Sequence, residues 1–206
     1  MIVIDVGNTN IVVGIYLGKK LTKEFRIKTE KNKKKFISQF RKFLKSNKII
    51  LKSKEKICVL SSVVPSLNLL IKKIFLEKKF KFYLVNPKNI PINIKINYKL
   101  NQIGSDRIAN YVAIYNKKIL NSIIIDFGTA TTFDVIKKNE YDGGLIFPGV
   151  TLSMNSLINN TELLKTSKIS KVKKIVARDT TSSMKSGFYF GYLHAINGIL
   201  KQIITE

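Results

Sequence analysis

The chain opens on two apolar runs, IVIDV and IVVGIYL, separated only by the short polar segment between them, and a third run with alternating polar positions follows. Continuous or period-two apolar runs of this length predict strands at 2–7, 10–17, 20–28, 56–62 and 80–85. Between them the spacing changes. Phe36, Ile37, Phe40, Phe43 and Leu44 fall on one side of a 3.6-residue period, which predicts a helix over 33–46. A second helix is predicted over 66–78, with Pro65 placed where a first helical turn accepts it. The stretch from Pro87 to Gln102 carries two prolines and several asparagines and reads as a loop or crossover. After a helix at 103–118 the pattern restarts, with strands at 122–126, 131–137 and 140–147 and helices at 150–158 and 180–204.

Three strands, a helix, a strand and a helix are thus followed by a second set of three strands and a helix. The two sets begin alike. MIVIDVGNTN and SIIIDFGTAT are each a buried run that ends on an aspartate, turns at a glycine through small hydroxyl or amide residues, and re-enters a strand. This predicts an α/β protein built by duplication, with an N-terminal domain over 1–115 and a C-terminal domain over 116–206. No Gly/Ser-rich linker separates them, so the boundary is a change of pattern rather than a tether.

Charge changes this picture less than its size suggests. The 206 residues carry a formal net charge of +24, but nearly all of the basic residues are lysines spread along the chain, with Arg26, Arg41, Arg107 and Arg178 as the arginines. The densest run, Lys31 to Lys35, leads into the amphipathic helix at 33–46 and reads as its exposed end. A specific nucleic-acid surface is therefore not expected. No apolar stretch is long enough to span a bilayer, and Asp5, Asn8 and Asn10 interrupt what a secretion signal would keep apolar. The single cysteine, Cys58, lies in a strand run, which fits a buried residue in a reducing, cytoplasmic setting.

The chemistry is expected at the two turns. A strand ending in Asp5 or Asp126 puts a carboxylate at the carboxyl edge of a sheet, where open α/β sheets bind ligands. Gly7 and Gly128 let the backbone approach that ligand, and the amides of such a turn form an anion-binding concavity. The carboxylates repel phosphate, so their use there is to hold a cation against phosphate oxygens. Between the halves, Gly104-Ser105-Asp106-Arg107 opens a helix, and Arg107 supplies a planar fork suited to a carboxylate in a chain that otherwise uses lysine. Gly143, Gly144 and Gly149 point to backbone pressed against a ligand or a neighbouring strand. Gly187, Gly191 and Gly198 punctuate the last helix at a cost in helix stability, which predicts close approach to another helix, in the same chain or across a dimer interface. His194 in the same helix is expected to be packed in a core or interface.

DVGNTN, GSDR, IDFGTATTFDVI, GGLIFPGV and DTTSSMKSG, in this order from Asp5 to about Gly198, resemble the type III pantothenate kinase family of the actin-like ATPase and sugar kinase superfamily. The resemblance implies two ribonuclease H-like α/β domains facing a nucleotide cleft, and ATP-dependent phosphorylation of pantothenate, the first step of coenzyme A biosynthesis. It implies that Asp5, Val6, Gly7, Asn8, Thr9, Asn10, Ile11 and Val12 form the first phosphate loop and that Thr129 contacts ATP in the second. Asp126 would bind the monovalent cation, K⁺ or NH₄⁺, used alongside Mg²⁺. Gly104, Ser105, Asp106 and Arg107 would bind pantothenate, with Asp106 as base and Arg107 toward the carboxylate, and Tyr98 and Thr180 would also touch it. Homodimers are implied as well. Three features depart from the family pattern. YKLNQIG is one residue shorter and lacks a proline, Asp179 replaces asparagine, and KQIITE ends where many members continue, so the second domain is expected to be shortened at its C-terminus. A noncatalytic nucleotide-binding accessory or regulatory protein of the same fold would keep the Asp5 and Asp126 loops while losing Asp106 or Arg107, and both residues are present.

Overall fold

In the computed structural model, residues 1–52, 55–90, 94–164 and 170–206 are described. The first strands are β1 (Ile2–Val6), β2 (Asn10–Leu17) and β3 (Lys20–Lys28), followed by helix α1 (Lys33–Ser46). Next come β4 (Ile57–Ser62), α2 (Pro65–Glu77) and β5 (Lys81–Leu84). After α3 (Ser105–Tyr115) the chain forms β6 (Ser122–Phe127), β7 (Ala130–Lys137) and β8 (Glu140–Pro148), then α4 (Val150–Asn159) and α5 (Thr180–Thr205). The strands divide into a five-stranded sheet of order β3-β2-β1-β4-β5 and a three-stranded sheet of order β6-β7-β8. In the larger sheet β1 runs antiparallel to β2 and parallel to β4. This α/β arrangement, three meandering strands followed by parallel crossovers, is the ribonuclease H-like order that the sequence predicts.

Contacts group the residues into two compact units. One holds Met1–Ile125 with Phe133–Leu145, and the other Asp126–Thr132 with Ile146–Glu206. In the first unit, Ile2, Ile4 and Val6 alternate onto the core face of β1 and are fully buried, beside Ile11 and Val13 of β2 and Cys58 and Leu60 of β4. The helices cover that face. α1 contributes Phe36, Phe40 and Leu44, and α2 contributes Leu67, Ile71, Ile74 and Phe75. Phe36 stacks on Phe40 at 5.3 Å, and Phe75 meets Phe80 edge to face at 5.2 Å, arrangements that favour aromatic pairs beyond their buried area. Asn32 caps α1 by accepting from the Lys35 amide at 3.1 Å, and Pro65 starts α2 where its missing N–H has no helical partner to lose.

A smaller core in the same unit surrounds α3. Ile103, Ile108, Tyr111, Ile136 and Tyr141 are buried together. The loop after β5 is tied there by an isolated parallel bridge of Ile96 to Tyr141. The turn joining β7 to β8 is Lys138-Asn139, both with positive φ (53° and 61°), the two-residue form whose twist suits an antiparallel hairpin. In the second unit, the Tyr192 hydroxyl of α5 donates to the Pro148 carbonyl at 2.9 Å and lies 2.6 Å from the Ser153 hydroxyl of α4. Gly187, Gly191 and Gly198 have no described atom within 4 Å of where a Cβ would sit, so no close helix contact within the described residues offsets their cost. His194 is exposed and lies over the Phe190 ring at 6.3 Å rather than packed in a core. Among the described residues, no helix is long and apolar enough to cross a membrane.

Cys58 is completely buried, and burial pushes its thiol up to about 12, which leaves almost no thiolate at neutral pH. We expect the folded protein to resist a disulfide-exchange reagent at pH 8 and to take up one equivalent once denatured. Rapid labelling of the folded protein would show that β4 opens.

Candidate active site

The first acid-glycine turn leaves the sheet at the end of β1. Its stem is locked by three hydrogen bonds: Gly7 N–H to Asn10 O at 3.0 Å, Thr29 N–H to Thr9 O at 2.9 Å, and the Thr29 hydroxyl to Gly7 O at 2.7 Å. Asp5, Asn8 and Thr9 remain exposed at its rim, while Val6 and Ile11 are core residues that anchor its two sides. A Cβ at Gly7 would stand 3.2 Å from Asn10 O, so a larger residue would push the turn open. Thr29, itself buried, escaped the sequence reading because nothing in a threonine at the end of an exposed strand marks it as the anchor of a loop nearly twenty residues earlier.

The GSDR segment is seated against the same end of the sheet. Asp5 is the Cα partner of Ser61 across the parallel β1–β4 pair. Ser105 accepts from the Ser62 amide at 2.7 Å and donates to the Ser62 carbonyl at 2.9 Å, and the Ser61 hydroxyl donates to it at 3.3 Å. One hydroxyl thus uses its donor and both lone pairs to fasten the start of α3 to the end of β4. Gly104 is the N-cap, and a Cβ there would meet an Asp106 carboxylate oxygen at 2.3 Å. The glycine makes room for the Asp106 side chain, which folds back over the helix start and accepts from the Arg107 amide at 2.8 Å.

Arg107 is only 5 % exposed. Its Nε donates to Asp134 Oδ1 at 2.5 Å, and its Nη2 faces the Phe133 carbonyl at 3.5 Å. The guanidinium carbon lies 5.5 Å from the centre of the Tyr98 ring and 5.8 Å from that of Tyr141. Tyr141 donates its hydroxyl to the same Asp134 oxygen at 2.6 Å. Burial raises Asp134 above the ordinary carboxylate range, although the Tyr141 hydroxyl and the Arg107 charge pull the other way. Burial opposes the charge on Arg107, but Asp134 more than compensates and holds Arg107 more firmly protonated than usual. Gly144, with φ of 154°, makes room for this cluster, since a Cβ there would lie 1.8 Å from Phe133 O and 2.8 Å from Arg107 Nη2. Of these residues the sequence singled out Arg107, Tyr98 and Gly144. It missed Asp134 and Tyr141, and the available signal was an acid within the apolar strand run of β7.

The remaining candidates belong to the second unit. Asp126 is exposed near the end of β6, and Gly128 and Thr129 are exposed in the turn to β7, where Gly128 N–H donates to Ala130 O at 3.0 Å. The start of α4 presses on this turn. Gly149 N–H donates to Thr129 O at 3.1 Å, and a Cβ at Gly149 would stand 2.3 Å from that oxygen and 2.5 Å from Gly128 O. Thr180 is the exposed first residue of α5. Asp179 before it accepts from the Ser182 amide at 2.9 Å, a backbone bond that holds its carboxyl below the usual range. Aspartate therefore serves as N-cap where the family pattern has asparagine.

The first acid-glycine turn and the GSDR helix start thus belong to one unit, and the second acid-glycine turn belongs to the other. The sequence profile of the type III pantothenate kinase family matches residues 1–202. A type III pantothenate kinase of Geotalea daltonii is 39 % identical over the whole chain, which covers 82 % of that protein. One of a Sulfurihydrogenibium species is 40 % identical over the whole chain, covering 83 % of its own length. Among solved structures, a Campylobacter jejuni protein assigned to the Baf family of transcriptional activators superposes with a TM-score of 0.58 at 20 % identity, over 97 % of this chain and 79 % of its own. At that identity the likeness speaks to the fold alone. The chain belongs to the type III pantothenate kinase family and is a kinase.

Gly149→Ala tests the turn of the second unit. Because the clash falls on backbone carbonyls, the turn must shift. We expect KM for ATP to rise several-fold while KM for pantothenate changes little. An unchanged KM for ATP in a folded variant would remove this turn from the nucleotide site.

Proposed function

We propose that the protein transfers the γ-phosphoryl group of ATP to the primary hydroxyl of pantothenate, giving 4′-phosphopantothenate for coenzyme A synthesis, and that it works in the cytoplasm as a homodimer. The observation that carries this reading is the start of α3. Ser105 fastens it to the strand beside Asp5, which brings an acid and an arginine to the edge of the sheet that bears the first phosphate loop. The halves 1–115 and 116–206 are then the duplicated domains of the nucleotide cleft, each contributing one acid-glycine turn.

In this reading the amides of residues 5–12 and Thr129 hold the phosphates. Asp106 takes the proton of the attacking hydroxyl, and an acid of ordinary strength suffices when proton transfer is late. Arg107, with Tyr98, Gly104, Ser105 and Thr180, holds pantothenate, and its carboxylate meets a guanidinium already stripped of most of its water, where a charge-assisted hydrogen bond is strong. Among the described residues, no three metal-ligating side chains cluster. That fits Mg²⁺, which is commonly held by one or two carboxylates together with substrate phosphates, and Asp5 supplies such a carboxylate. Asp126 supplies the one for K⁺ or NH₄⁺. When bound, these cations neutralise charge on the transferring group.

Two experiments test the reading. With ATP and Mg²⁺, Asp106→Asn should lower kcat by roughly 10²–10⁴-fold with pantothenate binding nearly intact. Arg107→Lys should chiefly raise KM for pantothenate, by about 1.5–3 kcal/mol in binding terms. Near-normal turnover in Asp106→Asn would reduce Asp106 to a helix-capping acid. Separately, potassium or ammonium should raise turnover while sodium does little, and Asp126→Asn should lose most of that activation. Equal wild-type rates in potassium and sodium would remove the monovalent site.

A further inference from the structure

Asp134 is completely buried, yet only one of its two carboxylate oxygens is used. Oδ1 accepts from both Arg107 Nε and the Tyr141 hydroxyl, while Oδ2 has no hydrogen-bond partner among the described residues. As a stabilising device this is a poor arrangement, because a buried ion pair with an unsatisfied oxygen often does no better than apolar residues of the same volume. Its geometry serves another purpose. With Nε donating to Asp134 and Nη2 turned toward Phe133 O, the guanidinium is held along that edge, with Nη1 on the opposite side and the Tyr98 hydroxyl as a further hydrogen-bond partner. Tyr141 fixes Asp134 in turn, and Gly144 leaves the space that Nη2 occupies.

Resting on the pantothenate kinase reading, we infer that Asp134 is a positioning residue for substrate choice. Held by Tyr141, it aims the Nη1 edge of Arg107 at the substrate carboxylate and so makes the enzyme prefer an acid over the corresponding alcohol. Asp134 does not itself touch the substrate. It acts through Arg107, and its removal matters only to a substrate that uses Arg107.

The test compares pantothenate with pantothenyl alcohol, which lacks the carboxylate, in steady-state kinetics of the full chain. The variants are Asp134→Asn, Tyr141→Phe, Arg107→Lys and the double variant Arg107→Lys/Asp134→Asn. We expect Asp134→Asn to raise KM for pantothenate roughly tenfold, the scale of one misdirected charge-assisted hydrogen bond, with kcat within about twofold and the alcohol unaffected. The double variant should be no worse than Arg107→Lys alone, because an acid that acts through Arg107 has nothing further to lose. Equal losses on acid and alcohol, or losses that multiply in the double variant, would overturn the proposal by showing a merely structural role. Should Asp134→Asn fail to fold, Tyr141→Phe gives the decision. It removes one hydroxyl, and a smaller rise of about threefold confined to the acid supports the proposal, while an unselective change or none overturns it. A wild type that turns over neither substrate removes the kinase reading and this proposal with it. A wild type active on pantothenate with unselective variants overturns the proposal alone.

Discussion

Taking a guanidinium out of water costs several kcal/mol unless a carboxylate and further acceptors replace the lost hydration. The neighbourhood of Arg107 is arranged around that constraint. Asp134 provides the charge, the Phe133 carbonyl lies beside Nη2, and the rings of Tyr98 and Tyr141 enclose the remainder. These groups sit on three segments, so satisfying one side chain joins α3 to β7, β8 and the loop before α3. Breaking such a pair by removing one partner costs about 3–5 kcal/mol, since the survivor is left charged and buried. Asp106 gains from this without taking part in it. It stands between Ser105, fastened to β4, and Arg107, fastened to β7, so the backbone that carries the proposed base is held on both sides.

The larger sheet sets where this helix start can be. β1 is central because its core face is entirely apolar, and its parallel pairing with β4 puts Ser61 opposite Asp5. Ser105 then reaches Ser61 and Ser62 from α3. The first acid-glycine turn and the GSDR segment, about a hundred residues apart in sequence, share the end of one pair of strands. Hydrogen bonds of Ser105 to Ser61 and Ser62 make the connection, through hydroxyls small enough to be buried.

Strands and helices were legible because their signals are periodic. The alternation of Ile2, Ile4 and Val6, the spacing of Phe36, Phe40 and Leu44, and Pro65 at a helix start each survive in the fold within a residue or two. The proposed site was legible where it recurs or departs from composition: two acid-glycine turns, and an arginine in a lysine-rich chain. What stayed hidden depends on register. Asp134 reads as one residue of a β-strand, and only the packing of β7 against α3 turns it inward toward Arg107. Thr29 bonds through its hydroxyl and amide to the backbone carbonyls of Gly7 and Thr9, and Ser62 bonds through its own amide and carbonyl, and no residue pattern records such partners. His194 lies outside the core of its own chain, since apolar neighbours along a helix do not say which face that chain covers.

The two turns show how one motif is stabilised by two different means. In both, the glycine amide closes the turn onto a carbonyl at 3.0 Å, and a Cβ would come within 3.2 to 3.3 Å of that oxygen. The first turn gains its second anchor from a side chain, the Thr29 hydroxyl at the end of β3. The second gains it from backbone, the Gly149 amide at the start of α4, at a distance that only glycine permits. A hydroxyl anchor tolerates small displacements because its rotor can follow, whereas an amide anchor with carbonyls 2.3 and 2.5 Å from the missing Cβ does not. Both leave the rim exposed while the stem is fixed. The same acid-glycine motif recurs in the two turns, while each takes its support from the element that its surroundings supply.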